Sequence, residues 1–331
     1  MIQTSMNTHT NTQTSSRNRV LSAAALIPML SIGALMIPSQ LASASQGTLE
    51  IGFESGLESG LVAPEPVTEQ AITDAIEEYT RARYAGDVET VKSRVHHDVA
   101  RRTFSDTYWG QPSDEWVRPL THDHLSFLSD SNNPARRDDP ENGRCEIEVF
   151  DIAQRTAAAS LVMDDAVEYL HMILYNGRWL IADSTIVPLN RSGMRPPATT
   201  NRHDETITKI LTDYCVGFYE LDGEKVQDTC HSGLSKRVVE QAQHEDFDYL
   251  RSITFEEIEI LGKTFNKEFG FDPETARCEV EIYEVRKNMA IAKMTGTIWF
   301  DYFQLLKVDD EWTIVNIMFE GLPRDQWVDV G

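Results

Sequence analysis

Polar side chains suited to holding a small molecule recur along one face of a predicted strand in each half of the chain. Tyr169 and His171 alternate on one strand, and Tyr302 and Gln304 alternate on the matching strand. A tyrosine beside a histidine can orient and polarise a carbonyl ligand. The same residues can equally be half-buried sheet residues whose polar tips are satisfied. The opposite face of each strand is as apolar, so alternation alone does not decide which face lines a pocket.

Aromatic residues in the variable middle of the first half add candidates for a pocket wall. Tyr108 and Trp109 are adjacent there, and such rings line sites for flat or apolar ligands. Packing beneath the helices is the alternative and needs no ligand. The candidate pocket for a small apolar or aromatic ligand is therefore Tyr108, Trp109, Tyr169, His171, Tyr302 and Gln304.

Two histidine clusters, His96-His97-Asp98 and His122-Asp123-His124, have the residue types of a metal or acid–base site. Two histidines separated by one residue point to the same side only on a strand, whereas the second cluster lies where a helix is predicted to start. His96 has a counterpart in the second half, His231, and is expected to be a fold feature at a helix end. We predict no metal site and no cofactor.

The chain has four cysteines, too few for a disulfide scaffold. Cys215 and Cys230 lie on either side of a predicted helix–helix turn. An antiparallel helix pair would bring them close enough for a disulfide. The alternative is that they are small buried thiols.

An internal repeat explains the matched positions. A shift of 135 lays Ile72–Arg102 on Ile207–Arg237 with nine of 31 residues identical, and a shift of 133 lays Asp139–Ile181 on Asp272–Ile314 with twelve of 43 identical. The shared residues are of the kind that specify a fold. Polar groups suited to an isomerase, such as Asp164, occur in the first copy alone, so any site is expected in one copy or at the seam between the copies.

In each copy the sequence predicts helices first and strands afterwards, which is the α+β pattern. Helices are predicted at 68–85 and 203–220, each followed by a shorter helix and a variable stretch with a further helix. The strands are predicted at 145–150, 157–164, 167–175 and 179–185, then at 278–285, 289–297, 298–308 and 312–319. Asn176-Gly177 is a tight hairpin signal.

These patterns resemble the NTF2-like superfamily, in the branch called SnoaL-like or "putative lumazine-binding". The resemblance covers about 250 residues and is carried in the first copy by Ala85-Gly86-Asp87, His96, Glu168-Tyr169-Leu170 and Asn176–Ile181, and in the second by Asp222, His231, Asp301-Tyr302-Phe303 and Glu311–Asn316. It implies two cone domains, each a curved antiparallel sheet wrapped around helices with a pocket opening into the cone. The fold hosts isomerases, dehydratases, hydrolases, carriers and non-catalytic adaptors.

The first 46 residues have the composition of a secretory signal. Arg17 and Arg19 precede an apolar run, and Ala42-Ser43-Ala44 follows as a cleavage site. Export to the periplasm or outside the cell is expected, and a retained N-terminal membrane anchor is the alternative. The predicted segments are a signal peptide at 1–46, a disordered acidic spacer at 47–66, domains at 67–188 and 203–323, a linker at 189–202 and a tail at 324–331.

The net charge of −23 argues against nucleic-acid binding and, once the signal is removed, against membrane association. The leading hypothesis is an exported non-catalytic protein that binds a small molecule or serves as a structural pseudo-dimer, with the first domain packed on the second. One alternative is an isomerase or dehydratase with its site in the first domain. Another is an acidic adaptor for a protein partner. The sequence is also compatible with a homo-oligomer.

Overall fold

The described part of the chain comprises residues 63–108, 111–125, 141–189, 204–242, 247–286 and 288–327 of a computed structural model. All of them belong to one compact unit, Gly56–Gly331. Among these residues, no helix is both long and apolar enough to cross a membrane. The predicted signal peptide lies outside the described residues, as do most of the spacer and the linker.

Each domain opens with a capped amphipathic helix. In the first domain α1 (Glu69–Ala85) begins where the Thr68 side chain accepts a hydrogen bond from the Ala71 amide, and it ends at Gly86 in the left-handed conformation, φ 72°. The buried stripe of α1 includes Ile72, Ile76 and Tyr79. A short helix, α2 (Val88–Ser93), follows.

Six strands complete the first domain, namely β1 (Val95–Tyr108), β2 (Gln111–Leu120), β3 (Glu146–Ile152), β4 (Thr156–Val162), β5 (Ala166–Tyr175) and β6 (Arg178–Pro188). Their order in the sheet is β2-β1-β6-β5-β4-β3. All neighbouring pairs are antiparallel except β1 and β6, which are parallel. Two parallel neighbours need a crossover connection between them. Here the chain passes through β2, β3, β4 and β5 between β1 and β6.

The second domain repeats this plan with α3 (Glu205–Glu220), α4 (Gly223–Asp228), β7 (Cys230–Gln241), β8 (Asp248–Ile253), α5 (Phe255–Gly262), α6 (Asn266–Phe269), β9 (Glu279–Arg286), β10 (Met289–Thr295), β11 (Trp299–Val308) and β12 (Glu311–Gly321). Its sheet order is β8-β7-β12-β11-β10-β9, the same as in the first domain. A single 3-10 turn, Arg324–Gln326, follows β12.

The predicted α+β class with two tandem domains is confirmed, and the predicted strands agree closely with β3–β6 and β9–β12. The hairpin signal is also confirmed, since Asn176 and Gly177 have φ of 48° and 76°, as a two-residue type I′ turn requires. The prediction for the variable stretch was incomplete. The long hairpins β1–β2 and β7–β8 were not predicted, because charged residues interrupt the apolar alternation of β1 and β7. The further helix predicted in this stretch is present after β8 as α5.

The two sheets pack against each other by the faces that point away from α1 and α3. We call this side of each sheet its outer face and the side towards the helix its inner face. Outer-face residues of both sheets form one apolar cluster, in which Phe150 and Tyr283 stack with ring centres 5.3 Å apart. These two rings occupy matched positions of the repeat, so the contact is pseudo-symmetric.

The end of the predicted spacer has defined contacts. Glu65 accepts a hydrogen bond from the Trp179 amide at 2.7 Å and pairs with Arg94 at 2.8 Å. The Trp179 indole donates to the Pro66 carbonyl at 3.0 Å. Residues 63–66 therefore pack beside the β5–β6 hairpin, although they were assigned to a disordered spacer.

Candidate functional site

A buried carboxylate lies at the centre of the inner face of the first domain. Glu168 lies on β5 with its side chain towards α1, and it is fully buried. It accepts hydrogen bonds from Arg83 and Arg101, both at 2.6 Å, and from the Tyr79 hydroxyl at 3.5 Å. Arg101 also donates to the Tyr79 hydroxyl at 2.9 Å. Helix α1 supplies Tyr79 and Arg83 one turn apart, and β1 supplies Arg101.

Two guanidinium groups thus share one buried carboxylate. Arg83 lies 3.5 Å from a second carboxylate, Asp165, which is 46% exposed. Arg83 therefore extends from the buried cluster to the surface end of the β4–β5 turn. Burial acts to lower the pKa of Arg83, but its interactions with Tyr79 and with the carboxylates of Glu168 and Asp165 outweigh burial and raise it above its usual value. Arg83 stays positively charged at any physiological pH.

The second domain has a related cluster at the matched positions. Asp301 on β11 pairs with Lys236 of β7 at 2.5 Å, and Lys236 donates to the Tyr214 hydroxyl at 2.9 Å. The Trp299 indole donates to Asp301 at 3.1 Å. Burial raises the pKa of Asp301 and lowers that of Lys236, and in each case the partner's charge only partly opposes the shift.

The two clusters differ where α1 and α3 approach the β4–β5 and β10–β11 turns. Arg83 is replaced in the second copy by Phe218, and Ala166 by Trp299. Phe218 and Trp299 pack with Phe265, whose ring centre lies 4.8 Å from that of Trp299 and 5.7 Å from that of Phe218. Aromatic side chains therefore fill this end of the second domain, while the first carries a guanidinium and a methyl group.

The four predicted pocket residues on the strands lie on the outer faces, between the sheets. Tyr169, His171, Tyr302 and Gln304 are all fully buried. The Gln304 amide donates to the Tyr169 carbonyl of the other domain at 3.0 Å, and the rings of His171 and Tyr302 lie 6.3 Å apart. Their expected place inside a cone is therefore wrong. Both faces of β5 and β11 are buried, one against the helices and one against the other sheet, so both are apolar.

These polar residues form one matched pair within each domain, on the face that lies at the seam. His171 Nδ1 lies 3.2 Å from an Asp183 carboxylate oxygen, and Asn316 donates to Gln304 at 2.8 Å. Asp183 also pairs with Arg237 of the second domain at 3.3 Å. The seam is thus held by polar contacts as well as by apolar packing.

The remaining pocket candidates are not brought into this arrangement by any described contact. Tyr108 ends the backbone of β1, and Trp109 lies outside the described residues. Their assignment to a ligand pocket stays a prediction.

The first histidine cluster lies at the start of β1. His96, His97 and Asp98 each offer an atom within 4.8 Å of the others. His96 is 2% exposed, and its Nδ1 accepts a hydrogen bond from the Asp98 amide at 3.2 Å. Burial, with the nearby charges of His97 and Arg237, lowers the pKa of His96 to about 4. The Asp98 amide thus occupies one ring nitrogen, and nearby Arg237 disfavours a cation.

The possible pairing of Cys215 with Cys230 is not supported by their contacts: both thiols are buried and free, and each has other neighbours. Cys230 begins β7 and its thiol lies 3.6 Å from the Val226 carbonyl. Cys215 instead lies beside the Arg277 carbonyl, 3.8 Å away, and so next to Cys278. The helix–helix turn does bring α3 and α4 together, but Cys230 lies beyond the end of α4, at the first residue of β7.

Two surface clefts lie outside these clusters. One, of about 440 Å³, is acidic and is lined by Asp213, Asp222, Glu224 and Asp228 together with Lys225. The other, of about 400 Å³, lies between the edge strands β3 and β9. Neither cleft reaches Glu168 or Asp301.

Comparison with known proteins identifies the family. A family model described as "Putative lumazine-binding" matches residues 67–185 and again 202–320. The chain belongs to this family. It contains two lumazine-binding-family domains in tandem, and the predicted relationship to NTF2-like proteins is confirmed. No curated protein matches the chain.

Solved structures similar to single domains of this lumazine-binding-family chain are NTF2-like. A protein of unknown function from Shewanella baltica OS155 is 19% identical, covers 38% of this chain and 99% of its own, and has a TM-score of 0.32. One from Silicibacter pomeroyi DSS-3 is 15% identical with the same coverages and a TM-score of 0.30. A ketosteroid isomerase-like protein from Erwinia carotovora atroseptica is 13% identical, covers 37% of this chain and 98% of its own, and has a TM-score of 0.28.

The inner clusters were missed by sequence reasoning, although a signal was present. The carboxylates of Glu168 and Asp301 each precede a matched tyrosine, and Tyr79 is itself matched by Tyr214. The basic partners, Arg101 and Lys236, also align in the repeat. The expectation that polar groups do not repeat was therefore wrong. The matched residues have the same charge in both copies but differ in residue type, so a comparison of identical residues does not find them.

Proposed function

We propose that this chain is an exported, non-catalytic protein that binds a small molecule in its first domain, with the second domain as its built-in packing partner. The observation that carries the proposal is the exchange of Arg83 and Ala166 for Phe218 and Trp299. The second domain keeps the buried acid–base cluster but closes its end with aromatic rings. The first domain has the Arg83 guanidinium at the same place, where it pairs with Glu168 inside the domain and with the half-exposed Asp165 towards the surface.

The chemistry at Arg83 favours a small planar ligand with a carbonyl or anionic edge. A guanidinium offers paired donors to such an edge. Its carbon lies 5.8 Å from the centre of the buried Tyr79 ring, which helps to hold the guanidinium in place. Lumazine, after which the family is described, is a flat heteroaromatic molecule with carbonyl groups and belongs to this ligand class.

A binding role fits the inner clusters better than an isomerase or dehydratase role. General-base catalysis needs a carboxylate that can take up a proton from the substrate. Glu168 accepts hydrogen bonds from two guanidinium groups and one hydroxyl, and Asp301 is bound by Lys236 and Trp299. Both carboxylates are thus committed to neighbouring donors.

Export is supported by the composition of residues 1–46. The positive flank at Arg17 and Arg19, the apolar run and the small residues Ala42 and Ala44 are the parts of a cleaved signal. The mass of the protein recovered from the producing cells tests this part. A mature chain that begins at Ser45 supports export, and a chain that keeps the apolar run supports the membrane-anchored alternative.

Titration of the full chain with lumazine, followed by calorimetry, tests the binding role. We expect one equivalent of ligand per chain and an unchanged ligand mass after prolonged incubation. Chemical conversion of the ligand would establish the enzyme alternative. Absence of binding to lumazine and to simple planar carboxylates would contradict the proposal and leave the acidic adaptor.

A further inference from the structure

The backbone just before Cys278 is held against one face of α3. The Arg277 carbonyl accepts a hydrogen bond from the Tyr219 hydroxyl at 2.8 Å and lies 3.8 Å from the Cys215 sulfur. Cys215 and Tyr219 are four residues apart, so they lie on the same face of the helix. Two successive helical turns therefore fix the position of the start of β9.

This arrangement makes the two thiols neighbours. The Cys215 thiol is fully buried 3.8 Å from the Arg277 carbonyl, and the next residue, the partly exposed Cys278, is its neighbour. We propose that Cys215 and Cys278 form a disulfide that ties α3 to the start of β9 in the second domain.

The first domain provides an internal comparison. Tyr84 donates to the Arg144 carbonyl at 2.7 Å, as Tyr219 does to Arg277. At the position of Cys215 the first domain has Thr80, whose side chain is a neighbour of Cys145, the counterpart of Cys278. The fold thus places these two side chains in contact in both copies, and only the second copy has a thiol at each position.

The bond would form by exchange with a small disulfide oxidant such as oxidised glutathione. Burial raises the pKa of Cys215 well above its usual value, so the partly exposed Cys278 is the first nucleophile. Its thiolate attacks the oxidant and releases one glutathione thiol. The Cys215 sulfur then attacks Cys278 in the mixed disulfide and releases the second glutathione thiol. Two protein thiols are oxidised, one disulfide oxidant is reduced, and the two protons go to the released thiolates.

The crosslink encloses the segment that closes the second domain. Residues 215 to 278 include α5, α6 and Phe265, which packs against Trp299. A disulfide across this loop restricts the unfolded chain and stabilises the closed packing. In the cell this inference rests on the proposed export, because an oxidising compartment supplies the oxidant.

The test uses the purified, reduced full chain, so the result does not depend on export. After incubation with oxidised glutathione under native conditions, we expect the number of free thiols, counted in denaturant, to fall from four to two. Digestion without reduction should give a peptide pair joining Cys215 to Cys278. The thermal unfolding midpoint of the oxidised protein should exceed that of the reduced protein by roughly 5 °C.

Matched variants come from the repeat itself. Cys215→Thr, which installs the first domain's residue, should yield only a glutathione adduct at Cys278. Thr80→Cys should give a second peptide pair joining position 80 to Cys145. Cys230→Ser should still form the bond between Cys215 and Cys278. Four reactive thiols after oxidation of the folded chain, or a pair that contains Cys230, would overturn the proposal, whereas a retained leader in cells would overturn only export.

Discussion

Arg83 donates a 2.6 Å hydrogen bond to Glu168 from the last turn of α1, and both side chains are almost completely buried. The second domain keeps the carboxylate, as Asp301, but replaces the arginine with Phe218. Since an arginine cannot release its proton inside a protein, the first domain keeps a charge that the second domain has lost.

Removing the buried carboxylate should cost more in the first domain than in the second. Glu168→Gln leaves two guanidinium groups without a counter-charge, which we expect to cost about 3–5 kcal/mol. Asp301→Asn leaves only Lys236, whose pKa burial already lowers, so the lysine can become neutral. We expect a cost of about 1–3 kcal/mol there. Urea unfolding of the full chain at neutral pH measures both values.

These two variants serve as controls for each other, since each replaces a carboxylate by its own amide at a matched position. Equal losses of stability, or a larger loss for Asp301→Asn, would contradict the idea that the two arginines around Glu168 make its removal more costly.

The seam between the domains should depend on the pair of Asp183 and Arg237. Both are buried, so Asp183→Asn leaves the guanidinium unpaired between the sheets. We expect destabilisation by about 3–5 kcal/mol. Adding Arg237→Met should restore most of the loss, because the unpaired charge is then gone. A double-mutant cycle measures this coupling, and strictly additive effects would mean that the pair contributes nothing specific.

Acid should weaken the fold through His96. Its pKa is about 4 in the folded chain and about 6.5 when unfolded. Between these values the unfolded chain binds more protons, so stability is full above pH 6.5 and falls as the pH drops towards 4. The expected loss is about 2–3 kcal/mol.

Unfolding free energies measured from pH 7 to pH 4 test this expectation. His96→Asn keeps an acceptor for the Asp98 amide but cannot titrate, so its profile should be flatter by that amount. His231→Asn at the matched position is a second test: burial lowers the pKa of His231 as well, so its profile should also become flatter. The prediction fails if the His96→Asn profile has the same slope as that of the unmodified chain.

The repeat and the family pattern predicted the fold from sequence because their residues fix turns and strand ends. Asn176-Gly177 specifies a hairpin, and Thr68 and Asp204 cap the first helices through side-chain bonds. Strands β1 and β7 were missed because Arg101 and Lys236 point into the core and break the alternation that marks a strand. A buried charge of this kind is evident only when its partner is known.

The site could not be predicted to the same extent. The alternation of β5 separates Glu168 from Tyr169 correctly, but both faces of this strand are buried. Burial on two sides removes the polar–apolar contrast that would orient the strand. The choice between Tyr169 and Glu168 as the inward residue depends on the second sheet, which covers the outer face through contacts distant in sequence.

The binding role can be tested most directly by exchanging the matched residues Arg83 and Phe218. Lumazine titrated by calorimetry should bind the unmodified chain, and Arg83→Phe should weaken binding by about tenfold or more, the effect of one lost charge-assisted hydrogen bond. Phe218→Arg should leave the affinity unchanged, because that domain is not the binding one. Circular dichroism on both variants checks that the fold is kept. Undiminished binding by a folded Arg83→Phe variant, or loss of binding in a folded Phe218→Arg variant, would contradict a ligand site in the first domain.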